Sequence, residues 1–125
     1  MRVLVIIPCY NEEGNILNTI NDLKKVKVDY IVINDGSTDN SLKVLRDNNI
    51  PHINLVNNVG IGGVMQTGYK YAYKNNYDIA IQFDGDGQHD ASYISDLIKP
   101  IKEKRANLVV GSRFVWDKSE FKSTA

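Results

Sequence analysis

The sequence predicts an α/β fold, a mostly parallel sheet with helices on both faces. Three observations carry this prediction. Short apolar, β-branched runs alternate with stretches whose apolar residues recur at helical spacing, the pattern of strand–helix crossover units. The clearest runs are apolar throughout rather than alternating, as strands covered on both faces are. Each run is followed by a polar or glycine-rich cluster, and in open parallel sheets the ligand crevice lies at those carboxyl ends.

The elements follow in order. Val3 to Ile7 reads as a buried strand, and Ile16, Ile20, Leu23 and Val26 mark one face of a helix. Tyr30 to Ile33 is a second buried strand. Ser37, Thr38 and Asp39 are helix-start residues, followed by Leu42 and Leu45 on one face. His52 to Val56, after Pro51, is a weaker third strand, in which His52 reads as a strand residue rather than a ligand. Gly60 to Asn75 is expected to be a glycine-rich turn running into a helix, with Tyr69, Tyr71 and Tyr73 engaged in packing. Asp78 to Phe83 is a fourth strand. Ile94, Leu97, Ile98 and Ile101 make a further helical stripe, bent or ended by Pro100, and Leu108 to Val110 is a fifth strand. After Arg113 the pattern stops, and no further packed element is expected between Phe114 and Ala125.

Composition narrows the function classes. At 125 residues the chain has the size of one domain. Fifteen basic and fifteen acidic residues leave no net charge, which gives no electrostatic argument for nucleic acid or an anionic membrane face. An anionic ligand must then be held by local devices. The single cysteine, Cys9, has no intrachain disulfide partner, so a reducing, cytoplasmic setting is the simpler expectation, and Cys9 reads as a small buried filler. The opening apolar run suits a strand better than a secretion signal, and no stretch approaches the ~18 apolar residues of a membrane span. The chain is expected to be soluble. Docking on a membrane through a part outside it stays open.

Five clusters, Pro8 to Glu13, Asn34 to Asp39, Asn57 to Gly63, Asp84 to Asp90 and Gly111 to Arg113, are expected to converge on one crevice. Asp84-Gly85-Asp86 places two carboxylates just past a buried strand, where the glycines permit a turn that aims both at one point. Two aspartate oxygens suit a hard cation, Mg2+ or Mn2+, that keeps its other positions for water and phosphate, and Gln88 adds a neutral oxygen. Alone, the motif is an ordinary acidic turn, and its place at a strand end is what favours metal binding. His89 fits a ligand, a substrate contact or a helix cap equally. Asp35 is assigned to ligand contact, because a carboxylate at a strand's carboxyl end must otherwise find other donors. For Ser37, Thr38 and Asp39, helix capping is the better reading. Gly60, Gly62 and Gly63 either let backbone N–H groups approach phosphates or, with Gly68, let a helix approach the sheet; the two readings weigh evenly. Arg113, after Gly111-Ser112, can clamp a diphosphate and stabilise it as a leaving group, against the alternative of a surface salt bridge.

Taken together and in order, the segments Ile7 to Glu13, Val32 to Asp39, Asn58 to Gly68, Gln82 to Asp90 and Val110 to Phe114 resemble the family 2 glycosyltransferases of the GT-A fold. The nearest resemblance is to the polyprenyl- and dolichol-phosphate sugar synthases and to bacterial polysaccharide glycosyltransferases. The resemblance implies the nucleotide-binding half of a Rossmann-like GT-A fold, with residues 1–125 forming one nucleotide-sugar-binding domain. It implies that Pro8, Tyr10 and Glu12 line a nucleobase pocket with Asp35. Asp84 would help place the metal and the ribose, Asp86 and Gln88 would bind the metal directly, and Arg113 would meet the diphosphate. Asn34 departs from the pattern, since many members carry a second acidic residue there. Length departs too: members continue past Gly-Ser-Arg into an acceptor-facing region, which usually supplies the general base when the acceptor is a hydroxyl, so the acceptor region is expected to be missing here. A lipid-phosphate acceptor is already ionised and needs no base.

The resulting expectation is a metal-dependent inverting transferase domain. It would bind a nucleoside-diphosphate sugar, UDP-sugar favoured, for transfer to a polyprenyl-phosphate or saccharide acceptor, with Asp86 and Arg113 as the catalytic residues. It would be cytoplasmic, or peripheral at the cytoplasmic face of the membrane, bind no nucleic acid, and be compatible with a homodimer. The main rival is a binding module that holds the sugar nucleotide without transfer. A phospho-acceptor signalling domain would need a lysine where Arg113 stands, and a sugar nucleotidyltransferase would need a basic glycine-rich loop where Pro8-Cys9-Tyr10-Asn11-Glu12 stands.

Overall fold

The computed structural model describes residues 2–84 and 115–117. Four strands, β1 (Val3–Cys9), β2 (Asp29–Asp35), β3 (His52–Leu55) and β4 (Ile79–Gln82), run parallel to one another in the order β3-β2-β1-β4. Helices α1 (Ile16–Lys24), α2 (Ser41–Asp47) and α3 (Gly60–Lys74) connect them. The expected α/β class and parallel sheet are therefore present.

Alternation along β1 explains the two covered faces. Val3, Val5, Ile7 and Cys9 point to one side, where they join Ile16, Ile20 and Leu23 of α1 and Leu45 of α2. Leu4 and Ile6 point to the other, with Val64, Met65 and Ala72 of α3. Val5, Ile6 and Ile7 are all fully buried, each worth roughly 1.5–3 kcal/mol against exposure. A strand with a helix layer on either side has no face for polar residues, which is why its sequence runs apolar without a break.

At the amino end of the sheet, away from the strand-end loops, the Tyr77 hydroxyl donates to Asp29 at 2.8 Å. The Arg2 guanidinium lies 4.3 Å from the Tyr77 ring centroid and donates to the Asn75 carbonyl at 2.6 Å. This cluster ties the starts of β1, β2 and β4 together.

Two sequence expectations need correction. A fifth strand, β5 (Val115–Asp117), pairs antiparallel with β4, Ile81 opposite Val115 and Ile79 opposite Asp117. No element was expected after Arg113, because three residues are too few to display any periodicity. Second, α3 begins at Gly60 itself, so Gly60, Gly62 and Gly63 belong to its first turns rather than to a preceding turn. Each glycine disfavours a helix by roughly 1 kcal/mol against alanine, and the buried face of Val64, Met65 and Ala72 offsets that penalty. The helix expected through Ile94–Ile101 and the strand expected at Leu108–Val110 lie outside the described residues.

Candidate functional site

The register of the sheet determines which strand-end residues meet. Cys9 pairs with Asn34 and Pro8 with Ile33, so β1 and β2 end side by side. On the other flank Gln82 pairs with Ile6, and the Phe83 N–H donates to the Ile6 carbonyl at 2.9 Å. Asp84, two residues beyond Gln82, is thereby carried up beside Pro8. The result is a cavity of about 260 Å³ lined by Pro8, Cys9, Tyr10, Glu12, Asp35, Ile61, Val64 and Asp84. Five of the residues proposed from sequence, Pro8, Tyr10, Glu12, Asp35 and Asp84, are thus gathered on one wall system from three strands.

Gly62 is not among the lining residues; Ile61 and Val64 of the same helix form that side. Neither was expected from the sequence, because apolar residues beside glycines carry no chemical signature of a site. Their signal was the spacing of three, which puts both on one face of a helix that starts at Gly60. Asp86, Gln88, His89 and Arg113 lie outside the described residues.

Asp35 has a structural task that the sequence did not disclose. Its two carboxylate oxygens accept the backbone N–H groups of Val59 at 2.7 Å and Gly60 at 3.0 Å, so an aspartate at the end of β2 caps α3. Its backbone carbonyl accepts from Asn58 Nδ2 at 3.2 Å. The donors whose absence argued for a ligand are therefore supplied by the fold, through the positive end of a helix. The carboxylate is 4% exposed and still borders the cavity.

The loops after β1 and β2 interlock. Asn11 sits in the left-handed region at φ 52°. Its Oδ1 accepts the N–H groups of Thr38 at 2.8 Å and Asp39 at 3.2 Å, and its own N–H donates to Ser37 Oγ at 3.0 Å. Next along the chain, Glu12 N–H donates to Ser41 Oγ at 3.0 Å and Glu13 N–H to Asp39 Oδ2 at 3.3 Å. Of the three expected helix-start residues, Asp39 does the capping: its Oδ1 accepts from Ser41 N–H at 2.8 Å. Ser37 and Thr38 serve the neighbouring loop. Partial burial works to raise the Asp39 pKa, but hydrogen bonds from Ser41 and from the Glu13 N–H outweigh it and hold the carboxyl below its usual range.

The charge of the cavity is informative. Among the described residues its lining holds three carboxylates, Glu12, Asp35 and Asp84, and no cation. This part of the crevice suits groups that donate hydrogen bonds, such as a base N–H or a ribose hydroxyl, better than it suits bare phosphate. Asp84 Oδ1 is oriented by a 3.0 Å hydrogen bond from Gln82 Nε2. For a divalent metal the donor chemistry fits a hard cation: Asp84 offers oxygen, and the one sulfur nearby is unsuited to bind. Burial pushes the Cys9 thiol up to about 11 despite hydrogen bonds with Ser41 and the Glu12 backbone.

A protonated, 1% exposed thiol has a consequence. Iodoacetamide at pH 8 is expected to label Cys9 in the folded chain roughly a hundredfold more slowly than in urea, since only the thiolate attacks. Labelling at equal rates in the two states, followed by mass spectrometry, would contradict the buried assignment.

Comparison with known proteins bears on this site. The family model described as "Glycosyl transferase family 2" matches residues 4–124. A UDP-N-acetylglucosamine–dolichyl-phosphate N-acetylglucosaminyltransferase of Methanococcus voltae is 37% identical over 139 residues, covering 97% of this chain and 55% of that protein. An undecaprenyl-phosphate mannosyltransferase of Micrococcus luteus is 30% identical over 122 residues, covering 92% and 49%. Among solved structures, residues 1–349 of S. aureus TarS in complex with UDP superpose with a TM-score of 0.66 at 26% identity, over 82% of this chain and 32% of that one. The chain thus spans about half the length of the curated relatives it matches.

Proposed function

Because this chain belongs to glycosyl transferase family 2, we propose that its crevice binds the nucleoside end of a nucleoside-diphosphate sugar, with UDP the favoured nucleotide. The observation that carries the reading is the convergence of Pro8, Tyr10, Glu12, Asp35 and Asp84 on one acid-lined cavity at the ends of three adjacent parallel strands. The half-exposed Tyr10 ring is available to stack on a base, and Glu12 and Asp35 accept hydrogen bonds from it. Asp84 reaches the ribose side. UDP is favoured because one relative is named for a UDP-sugar and one structural neighbour holds UDP.

Asp84, Asp86 and Gln88 would hold a Mg2+ or Mn2+ ion, which when bound supplies charge neutralisation at the diphosphate. Arg113 would bind the same diphosphate and stabilise it as it departs. The acceptor oxygen attacks the anomeric carbon from the face opposite the leaving group, so the bond to the diphosphate breaks as the new glycosidic bond forms and the configuration inverts. A polyprenyl phosphate is the favoured acceptor, since both named relatives act on a lipid phosphate. Such an oxygen is already ionised at neutral pH. Transfer to such a lipid would take place at the membrane, with the cytoplasmic face the favoured side. Among the described residues no helix is long and apolar enough to cross a membrane.

Calorimetric titration of UDP, GDP and dTDP, with and without MnCl2, tests the reading. UDP is expected to bind, and Mn2+ to tighten it by about tenfold or more, the worth of one added ionic contact. Absence of binding by all three nucleotides would sink the proposal. In a longer, transfer-competent form, Asp86→Ala is expected to abolish metal-dependent turnover and leave the melting temperature unchanged; undiminished turnover would remove Asp86 from the metal site.

A further inference from the structure

We propose that Asn34 is a positioning residue for the donor nucleotide, a role that rests on the nucleotide-binding reading above. Its side chain holds the loop that carries Tyr10 and Glu12. Asn34 is 1% exposed, at the end of β2, between Cys9 of β1 and Asn54 of β3 in register. Both ends of its carboxamide are used. Nδ2 donates to Asn54 Oδ1 at 3.0 Å, and Oδ1 accepts from the Ser37 hydroxyl at 2.5 Å.

That hydroxyl is the next link, because Ser37 Oγ accepts the Asn11 N–H at 3.0 Å. A hydroxyl free to rotate can present its proton or its lone pair to Asn11. Donation to Asn34 commits the proton and leaves a lone pair aimed at the Asn11 amide. Asn11 sits in the left-handed region at φ 52°, which asparagine adopts as a single residue when local hydrogen bonds support it. It stands between Tyr10 and Glu12, both of which line the cavity. Asn34 therefore reaches the site through Ser37 and Asn11 without lining it.

The test uses the full chain and three variants. Asn34→Leu keeps the volume and removes both hydrogen-bonding ends. Ser37→Ala removes the second link. Asn34→Asp retains the acceptor for Ser37 and is the conservative rescue. Two readouts are taken: amide hydrogen exchange at Asn11, referenced to Val5 and Ile7 in β1, and UDP affinity with MnCl2 by calorimetry.

Asn34→Leu and Ser37→Ala are expected to lose protection at Asn11 while β1 stays protected, and to bind UDP about tenfold more weakly. Asn34→Asp is expected to stay within about threefold of the parent chain, because the Ser37 bond survives. Unchanged Asn11 protection in Asn34→Leu would overturn the anchoring. Lost protection with unchanged UDP affinity would overturn the link to the nucleotide. If Asn34→Leu does not fold, Ser37→Ala decides both points. If the parent chain binds no nucleotide, the functional reading fails by itself, and hydrogen exchange still upholds or overturns Asn34 as the anchor of this loop.

Discussion

Asp35→Ala is expected to destabilise the chain by about 2–4 kcal/mol and to abolish nucleotide binding. The magnitude is that of the two charge-assisted hydrogen bonds that make up the cap. The carboxylate makes charge-assisted hydrogen bonds to the N–H groups of Val59 and Gly60, and loss of a helix cap costs about 0.5–2 kcal/mol. Hydrogen bonds to a charged group are worth roughly 1.5–3 kcal/mol, and alanine would leave both N–H groups without that acceptor. A domain of this size holds only about 5–15 kcal/mol in reserve, so urea denaturation should show the loss as a clear fall in midpoint. The effect on binding follows from the same bonds. The first turns of α3 carry Ile61 and Val64, which wall the cavity, and without the cap that wall is no longer held against the end of β2. Asp35→Asn separates the two roles, because it retains a neutral acceptor for one N–H and gives up the charge. It is expected to fold with an intermediate loss of stability. An alanine variant with a wild-type midpoint would show that the cap is energetically idle.

The second large effect lies at Gly68. A Cβ built there falls 2.7 Å from both Cδ1 and Cγ2 of Ile6, and Ile6 is fully buried in the central strand. Gly68→Ala therefore has to push α3 away from the sheet or force Ile6 from its rotamer. Overpacking of this kind costs about 1–3 kcal/mol, and the roughly 1 kcal/mol gained in helix propensity offsets only part of it. Gly68→Val should be worse by a further ~1–2 kcal/mol, since two more methyl groups meet the same strand. The diagnostic experiment is the double change Gly68→Ala with Ile6→Val, which removes Cδ1, one of the two Ile6 carbons that the added Cβ would meet at 2.7 Å. Its stability should exceed the sum expected from the two single changes, by thermal or urea unfolding. Strict additivity would mean that the helix and strand do not meet at this point. Gly62→Ala, in the same helix, is expected to have the opposite sign: nothing lies within 4 Å of its Cβ, so only the gain in propensity remains.

The contrast between these two glycines marks how far the sequence could be read. The strands were legible because a strand buried on both faces has to be apolar at every position, as Val3 to Ile7 is. The amphipathic stripe of α1 was legible for the same reason, since Ile16, Ile20 and Leu23 all face one core. Strand-end clustering was legible too: polar residues excluded from the sheet collect where the chain leaves it. The antiparallel β5 was not legible, because pairing of a three-residue segment is decided by its partner, Ile79 to Ile81, and by nothing in its own pattern.

The sequence alone therefore determined the α/β class, the order of its described parallel strands along the chain and the end of the sheet at which Pro8, Tyr10, Glu12, Asp35 and Asp84 gather. Tertiary structure decided what each of those residues does within the fold. It made Asp35 the cap of a helix twenty-four residues further on at Val59, made Asn11 and Ser37 partners across two loops, and separated Gly68, which the sheet requires, from Gly62, which it does not. The physical reason is one of range. Hydrophobic burial along a strand or helix leaves a periodic trace in the neighbouring residues, whereas a hydrogen bond or a close contact between distant segments leaves no trace in the sequence around either partner.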